Sequence, residues 1–111
     1  MMEIVKTKKY THIKAAQISA LDILKGIKKR FSEFENEHLI IDFSEKINTN
    51  IEELFLFLDL STIHRENGIS FVIICSEIDT DDVPDEICIV PTFSEALDIL
   101  EMDEIERDLG F

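Results

Sequence analysis

The spacing of apolar positions changes several times along the chain, and each change marks an element. Two short β-prone runs, "EIVKT" and "YTHIKA", flank Lys8-Lys9 and predict an N-terminal hairpin. From Ile18 to Phe34 the spacing becomes helical: Leu21, Leu24, Ile27, Phe31 and Phe34 recur together, with Lys25, Lys28 and Lys29 on the other side. "HLIIDF" follows as a nearly continuous apolar run of strand length, which suits a strand buried on both faces of a parallel sheet. A polar turn, Glu45 to Asn50, then leads into a strongly helical segment. Thr49 and Glu52 form a capping-box pattern at its start. Ile51, Leu54, Phe55, Leu58 and Thr62 make one stripe, and Leu56, Leu60 and Ile63 make a second, displaced around the helix. A helix apolar on more than one side needs more than one neighbour: the sheet and another helix, or a partner surface.

Gly68 ends that helix, and "ISFVIIC" reads as a second buried strand. "SEIDTDDVPDE" is an acidic connection with little periodicity, and "ICIV" is a third short strand stopped by Pro91. "PTFSEALDIL" opens a helix with Thr92 and Glu95 as another capping-box pair. Met102, Ile105 and Leu109 do not continue its stripe, so a kink or a second short helix ending at Gly110 is expected. The order is β-β-α-β-α-β-loop-β-α. Strand–helix–strand crossovers imply parallel neighbours joined by right-handed connections. The expectation is an α/β fold: a mixed sheet with an N-terminal hairpin, parallel inner strands and helices packed against it. No linker or repeat interrupts residues 1–111, which read as one domain.

Composition narrows the function classes. The net charge is −13, unevenly spread: residues 1–30 hold eight Lys/Arg against two Asp/Glu, and residues 31–111 hold three against twenty-two. Nucleic-acid binding draws its affinity from positive charge, so it is disfavoured. Acidic charge instead favours solubility, or a protein partner of complementary charge at either end. "LFLFL", the longest apolar run, is far short of the roughly 20 residues that span a bilayer. The lysines near the N-terminus have no apolar run behind them, unlike a signal peptide. Cys75 and Cys88 lie in apolar segments and read as reduced structural thiols of a cytoplasmic protein.

Catalytic patterns are sparse. His12, His38 and His64 fall in three different elements, without the short-spaced pairs of a zinc site. Gly26, Gly68 and Gly110 are too scattered for a phosphate-binding loop. Asp59, Ser61 and His64 share one helix, which rarely gives the geometry of an activated serine; a solvated helix face is expected there. Asp79, Asp81, Asp82, Asp85 and Glu86 lack the glycine and terminal glutamate of a calcium loop. No metal or cofactor is implied.

The phrases "LIIDFS", "SFVIICSEI" and "VPTFSEALDIL", in this order of elements, resemble the STAS domain, the family of anti-sigma-factor antagonists and of the cytoplasmic tails of sulfate transporters. Asp42-Phe43-Ser44, closing a strand, is the most specific local match. The resemblance implies a non-catalytic regulatory module. In phospho-regulated members the turn before the helix reads roughly Asp-Ser-Ser-Gly, and a partner kinase phosphorylates a serine there. The matching positions here are Asn50, Ile51, Glu52 and Glu53, so neither serine nor glycine stands in place. Thr49 is the nearby hydroxyl, explained by its capping role. Glu52 fits the cap as well, or imitates a permanently phosphorylated state at a helix N-terminus. The closing "EALDILEMDEIERDLGF" is also similar to small chains labelled ribonuclease Z. The His-x-His-x-Asp-His motif of that activity is absent from this sequence.

The preferred expectation is therefore a cytoplasmic protein-interaction module without catalysis. Its partner-binding residues would be Asn48, Thr49, Asn50, Glu52, Glu53, Leu56 and Leu60. In the phospho-regulated branch the partner is a kinase-like anti-sigma factor. Two alternatives stand beside it: an accessory protein of a ribonuclease Z tRNA-processing enzyme, and a self-associating structural protein, such as a homodimer, that uses Leu56, Leu60 and Ile63.

Overall fold

The computed structural model describes residues 3–14, 19–43, 51–76, 78, 80–83 and 85–110. Strand β1 (Glu3–Lys6) and strand β2 (Thr11–Lys14) form the expected antiparallel hairpin. Its turn is held by Thr7, whose N–H donates to the Tyr10 carbonyl at 2.8 Å and whose hydroxyl accepts from the Lys9 and Tyr10 amides. Strands β3 (Leu39–Asp42), β4 (Phe71–Ile74) and β5 (Cys88–Val90) continue the sheet in the order β1-β2-β3-β4-β5. Every pair from β2 to β5 is parallel.

Neighbouring strands follow one another in sequence, so right-handed crossovers bring both helical connections to one face. That face carries the larger core. Ile13, Leu39, Ile41, Phe71, Ile73 and Ile89 meet Ala20, Ile23, Leu24, Ile27, Phe34, Leu54, Phe57 and Leu60 from the helices. The period of two along each strand sends Ile40, Val72, Ile74 and Val90 to the opposite face. One helix, α5 (Phe93–Asp108), packs there against β4 and β5. β3 and β4 are buried along their whole length, as two-sided burial of a parallel strand requires.

Three expectations about helices need correction. The first long helix is two: α1 (Ala20–Lys29) and the single turn α2 (Phe31–Phe34), separated at Arg30. Leu21 faces outward, and Ile23 takes the core position. The segment after Asn50 is also two: α3 (Ile51–Phe55) and α4 (Leu58–Glu66). The break at Leu56–Phe57 turns Phe57 into the core, with ring centroids 5.8 Å from Phe43 and 6.4 Å from Phe71. The last helix, by contrast, is a single run of 16 residues with no second segment. Its start is the expected one: the Thr92 hydroxyl accepts from the Glu95 amide at 3.2 Å. Beyond Leu100 its sheet-facing side becomes polar, which leaves Met102, Ile105 and Leu109 pointing away from the sheet.

Gly68 and Gly110 follow the ends of α4 and α5 with φ of +73° and +82°, the left-handed conformation that closes a helix and that glycine adopts without steric cost. The acidic connection between β4 and β5 contains a short 3-10 turn, Thr80–Asp82.

Candidate functional site

In the parallel part of the sheet, Lys14, Asp42, Ile74 and Val90 stand in register at the carboxyl ends of the strands. In open α/β sheets this is the edge where loops gather and ligands or partners are met. Here the edge is shaped by the end of β3. Phe43 N–H donates to the Ile74 carbonyl at 2.9 Å and its ring is buried, so the chain is pinned up to this point. Residues 44–50 begin immediately afterwards. Asn48, Thr49 and Asn50, and with them the Thr49 cap, lie outside the described residues.

The chain re-enters at α3. Glu52 is exposed and Glu53 half-buried in its first turn, where the unpaired amides of a helix start favour negative charge. Leu56 is 40% exposed and Ile63 is 40% exposed, but Leu60 between them is only 3% exposed and belongs to the core. The stripe read from the sequence is thus split by the α3–α4 break. Leu60 is a packing residue and is not available to a partner, while Phe55 joins Leu56 on the outside.

The sequence reading also missed a buried polar pair behind this corner. His12, at the middle of β2, and Asp42, at the end of β3, face the α5 side of the sheet. Their Nε2 and Oδ2 atoms are 2.7 Å apart, and both side chains are almost fully enclosed. The His12 ring stacks on Phe93, the first residue of α5, with centroids 4.6 Å apart and planes 18° from parallel. One imidazole thus links β2, β3 and the start of α5. The residues come from three distant segments, and no sequence spacing announces them.

The hydroxyl–imidazole pair on α4 is likewise not the solvated face expected. Ser61 and His64 are fully buried. Ser61 Oγ donates to the Glu86 carbonyl at 2.6 Å, tying α4 to the β4–β5 connection. His64 Nε2 lies 3.2 Å from the Phe34 carbonyl, and its ring meets Phe31 and Phe71 edge-on. Burial pushes this imidazole below its ordinary pKa, against the carbonyls of Phe34, Leu60 and Glu37 that favour its charge. Asp59 is exposed on the outer side of the same helix. A serine already donating to a carbonyl inside the core has no route to a substrate. The third histidine, His38, accepts from the Ser70 amide through Nδ1 at 2.9 Å. Among the described residues no three His, Cys, Asp or Glu side chains converge as a metal site. Cys75 is buried and Cys88 half-buried, and burial raises the Cys88 pKa. Among the described residues no helix is long and apolar enough to cross a membrane.

No protein-family model matches the sequence, and no curated protein matches it. The backbone does have a counterpart. A serine-to-glutamate form of RsbS from Moorella thermoacetica superposes with a TM-score of 0.63 at 14% identity, covering 91% of this chain and 95% of that one. The fold is that of a STAS domain. The antiparallel hairpin, the parallel inner strands and the helices packed against the sheet stand as expected; that α1 to α4 share one face is what the structure adds.

Proposed function

We propose that the chain is a non-catalytic regulatory module of the anti-sigma-factor-antagonist kind, which binds a protein partner at the corner after β3 and along the outer side of α3. The observation that supports it most is the fold shared with RsbS over nearly the whole chain. Residues 1–111 act in this reading as one STAS-like unit in the cytoplasm. Exposed Phe55 and Leu56 supply apolar contact, and Glu52 with Glu53 supply the acidic rim, alongside Asn48, Thr49 and Asn50. A kinase-like anti-sigma factor is the partner that suits such a surface.

Glu52 takes the place of the phosphorylatable serine, with a permanent carboxylate at the start of α3. The Moorella protein of similar fold also carries a glutamate in place of one of its serines, and that similarity supports the reading. On this reading the covalent switch is replaced by a fixed state.

A photo-crosslinking residue at Phe55, compared with one at the exposed Ser94 on α5, tests the surface in native cells. A defined protein captured from Phe55 and absent from Ser94 is the expected result. Equal capture at both positions rejects the surface. Glu52→Gln then tests the fixed charge: at least a threefold change in affinity for the captured partner is expected. An unchanged affinity reduces Glu52 to a helix cap.

A further inference from the structure

The opposite edge of the sheet, at the amino ends of β2 and β3, holds a groove of about 660 Å³ between the hairpin turn and the second half of α5. This volume falls within the roughly 300–1,000 Å³ typical of small-molecule sites. Tyr10, His38, Leu100 and Arg107 are half-buried and form its floor. Lys8 and Lys9 on one side, and Glu101 and Glu104 on the other, form an exposed rim. The groove lies where the second half of α5, which covers β4 and β5, passes the hairpin turn.

The polar groups at the floor have a defined sense. A backbone N–H can only donate, so the Ser70 amide fixes His38 Nδ1 as an acceptor. The ring is then the neutral tautomer with its proton on Nε2. Burial lowers the His38 pKa, and the Arg107 charge lowers it further, which agrees with a neutral ring. Ser70 Oγ donates to Asp103 Oδ2 at 2.7 Å, so β4 and α5 hold this floor together. Among the described residues, no hydrogen bond or ion pair engages the Arg107 guanidinium, the Tyr10 hydroxyl, or the heads of Lys8 and Lys9. The turn that carries the lysines is itself fixed by Thr7.

We propose that this groove binds a small organic carboxylate, with its single anionic group on Arg107 and His38 Nε2–H and its apolar body against Tyr10, Leu97 and Leu100. A planar guanidinium matches a carboxylate in two parallel hydrogen bonds. Leucine and tyrosine side chains supply the apolar contact that a wholly charged ligand would waste. Glu101 and Glu104 set the charge limit: a dianion such as a phosphomonoester meets two carboxylates at the rim. The site lies at the other end of the strands from the Phe43 corner and does not depend on the function proposed for that corner.

The test is a titration of the 15N-labelled chain with hexanoate, hexanol and hexyl phosphate, followed by amide shifts. Hexanoate should shift residues around Tyr10, His38 and Leu97–Arg107 and saturate. Hexanol should bind about tenfold more weakly, as expected for loss of a charge-assisted hydrogen bond. Hexyl phosphate should fall below hexanoate, and the double variant Glu101→Gln, Glu104→Gln should bring it level. Arg107→Gln should weaken hexanoate about tenfold without moving the melting temperature. If that variant does not fold, Lys9→Gln on the rim should still give a two- to threefold loss (about 0.5 kcal/mol, as for an exposed charge). Equal binding of hexanol, stronger binding of hexyl phosphate, or no saturable shift in the groove up to about 10 mM (a binding free energy weaker than roughly 3 kcal/mol) each overturns the proposal.

Discussion

His12 Nε2 stands 2.7 Å from Asp42 Oδ2, with Phe93 stacked on the imidazole, so a polar pair is sealed beneath the carboxyl end of the sheet. Removing one member of a buried pair costs more than the pair contributes, because the survivor stays desolvated. His12→Leu should therefore lower the unfolding free energy by about 2–4 kcal/mol. Urea denaturation followed by circular dichroism measures it. A change below about 0.5 kcal/mol, the ordinary size of a surface substitution, would show that the pair is not structural.

His64 and His38 should make the fold sensitive to acid. The Phe34 carbonyl only accepts, so His64 carries its proton on Nε2, and among the described residues its buried Nδ1 meets no hydrogen-bond partner. Burial lowers the pKa of both His64 and His38 in the folded chain. The unfolded chain then takes up protons first as pH falls through about 6.5, so stability is lost on acidification. The loss is at most about 1.4 kcal/mol per pH unit per histidine, and it vanishes above about pH 7.5, where both states are neutral. The urea midpoint should fall between about pH 7.5 and pH 5.5, and His64→Leu should flatten that slope. A variant with the full slope would place the titration elsewhere.

How much of this was legible beforehand follows from the range of each interaction. The hairpin, the two-sided burial of "LIID" and "FVII", the Thr92 cap and the helix stops at Gly68 and Gly110 are set by residues close in sequence, and the sequence predicts each. The break at Leu56–Phe57 is different, because its cause is the space between Phe43 and Phe71. The same holds for polar groups. Ser61 and His64 read as solvent-facing because their partners, Glu86 and Phe34, lie 25 and 30 residues away. His12 and Asp42 are also 30 residues apart, and only the parallel register of β2 on β3 brings them together. Local chemistry fixed the edges of elements; distant packing decided which polar groups went inside.

The split stripe on α3 and α4 gives a paired prediction. Leu60→Ala empties a core position and should cost about 3 kcal/mol. Leu56→Ala, at the exposed break, should stay within about 0.5 kcal/mol of the parent chain. Partner affinity should respond the other way: Leu56→Glu should reduce capture by the protein identified from Phe55 while the thermal melt is unchanged. Equal destabilisation by the two alanine variants would mean that Leu56 is also packed.

The second half of α5 is anchored differently from its first. Ala96 is buried on the sheet and Phe93, Ile99 and Leu100 pack beside it, whereas beyond Leu100 the helix is tied by Ser70 Oγ, which donates to Asp103 Oδ2 at 2.7 Å. A hydrogen bond to a carboxylate contributes about 1.5–3 kcal/mol, more than a neutral one. Ser70→Ala keeps the backbone amide that holds His38, so it removes this tie alone. Amide exchange should quicken across Glu101–Asp108 while Phe93–Leu100 stays protected, because the apolar contacts of the first half are untouched. Uniform acceleration along all of α5 would show that the helix opens as one unit and that Met102, Ile105 and Leu109 hang on a rigid arm rather than on a loosely tethered end.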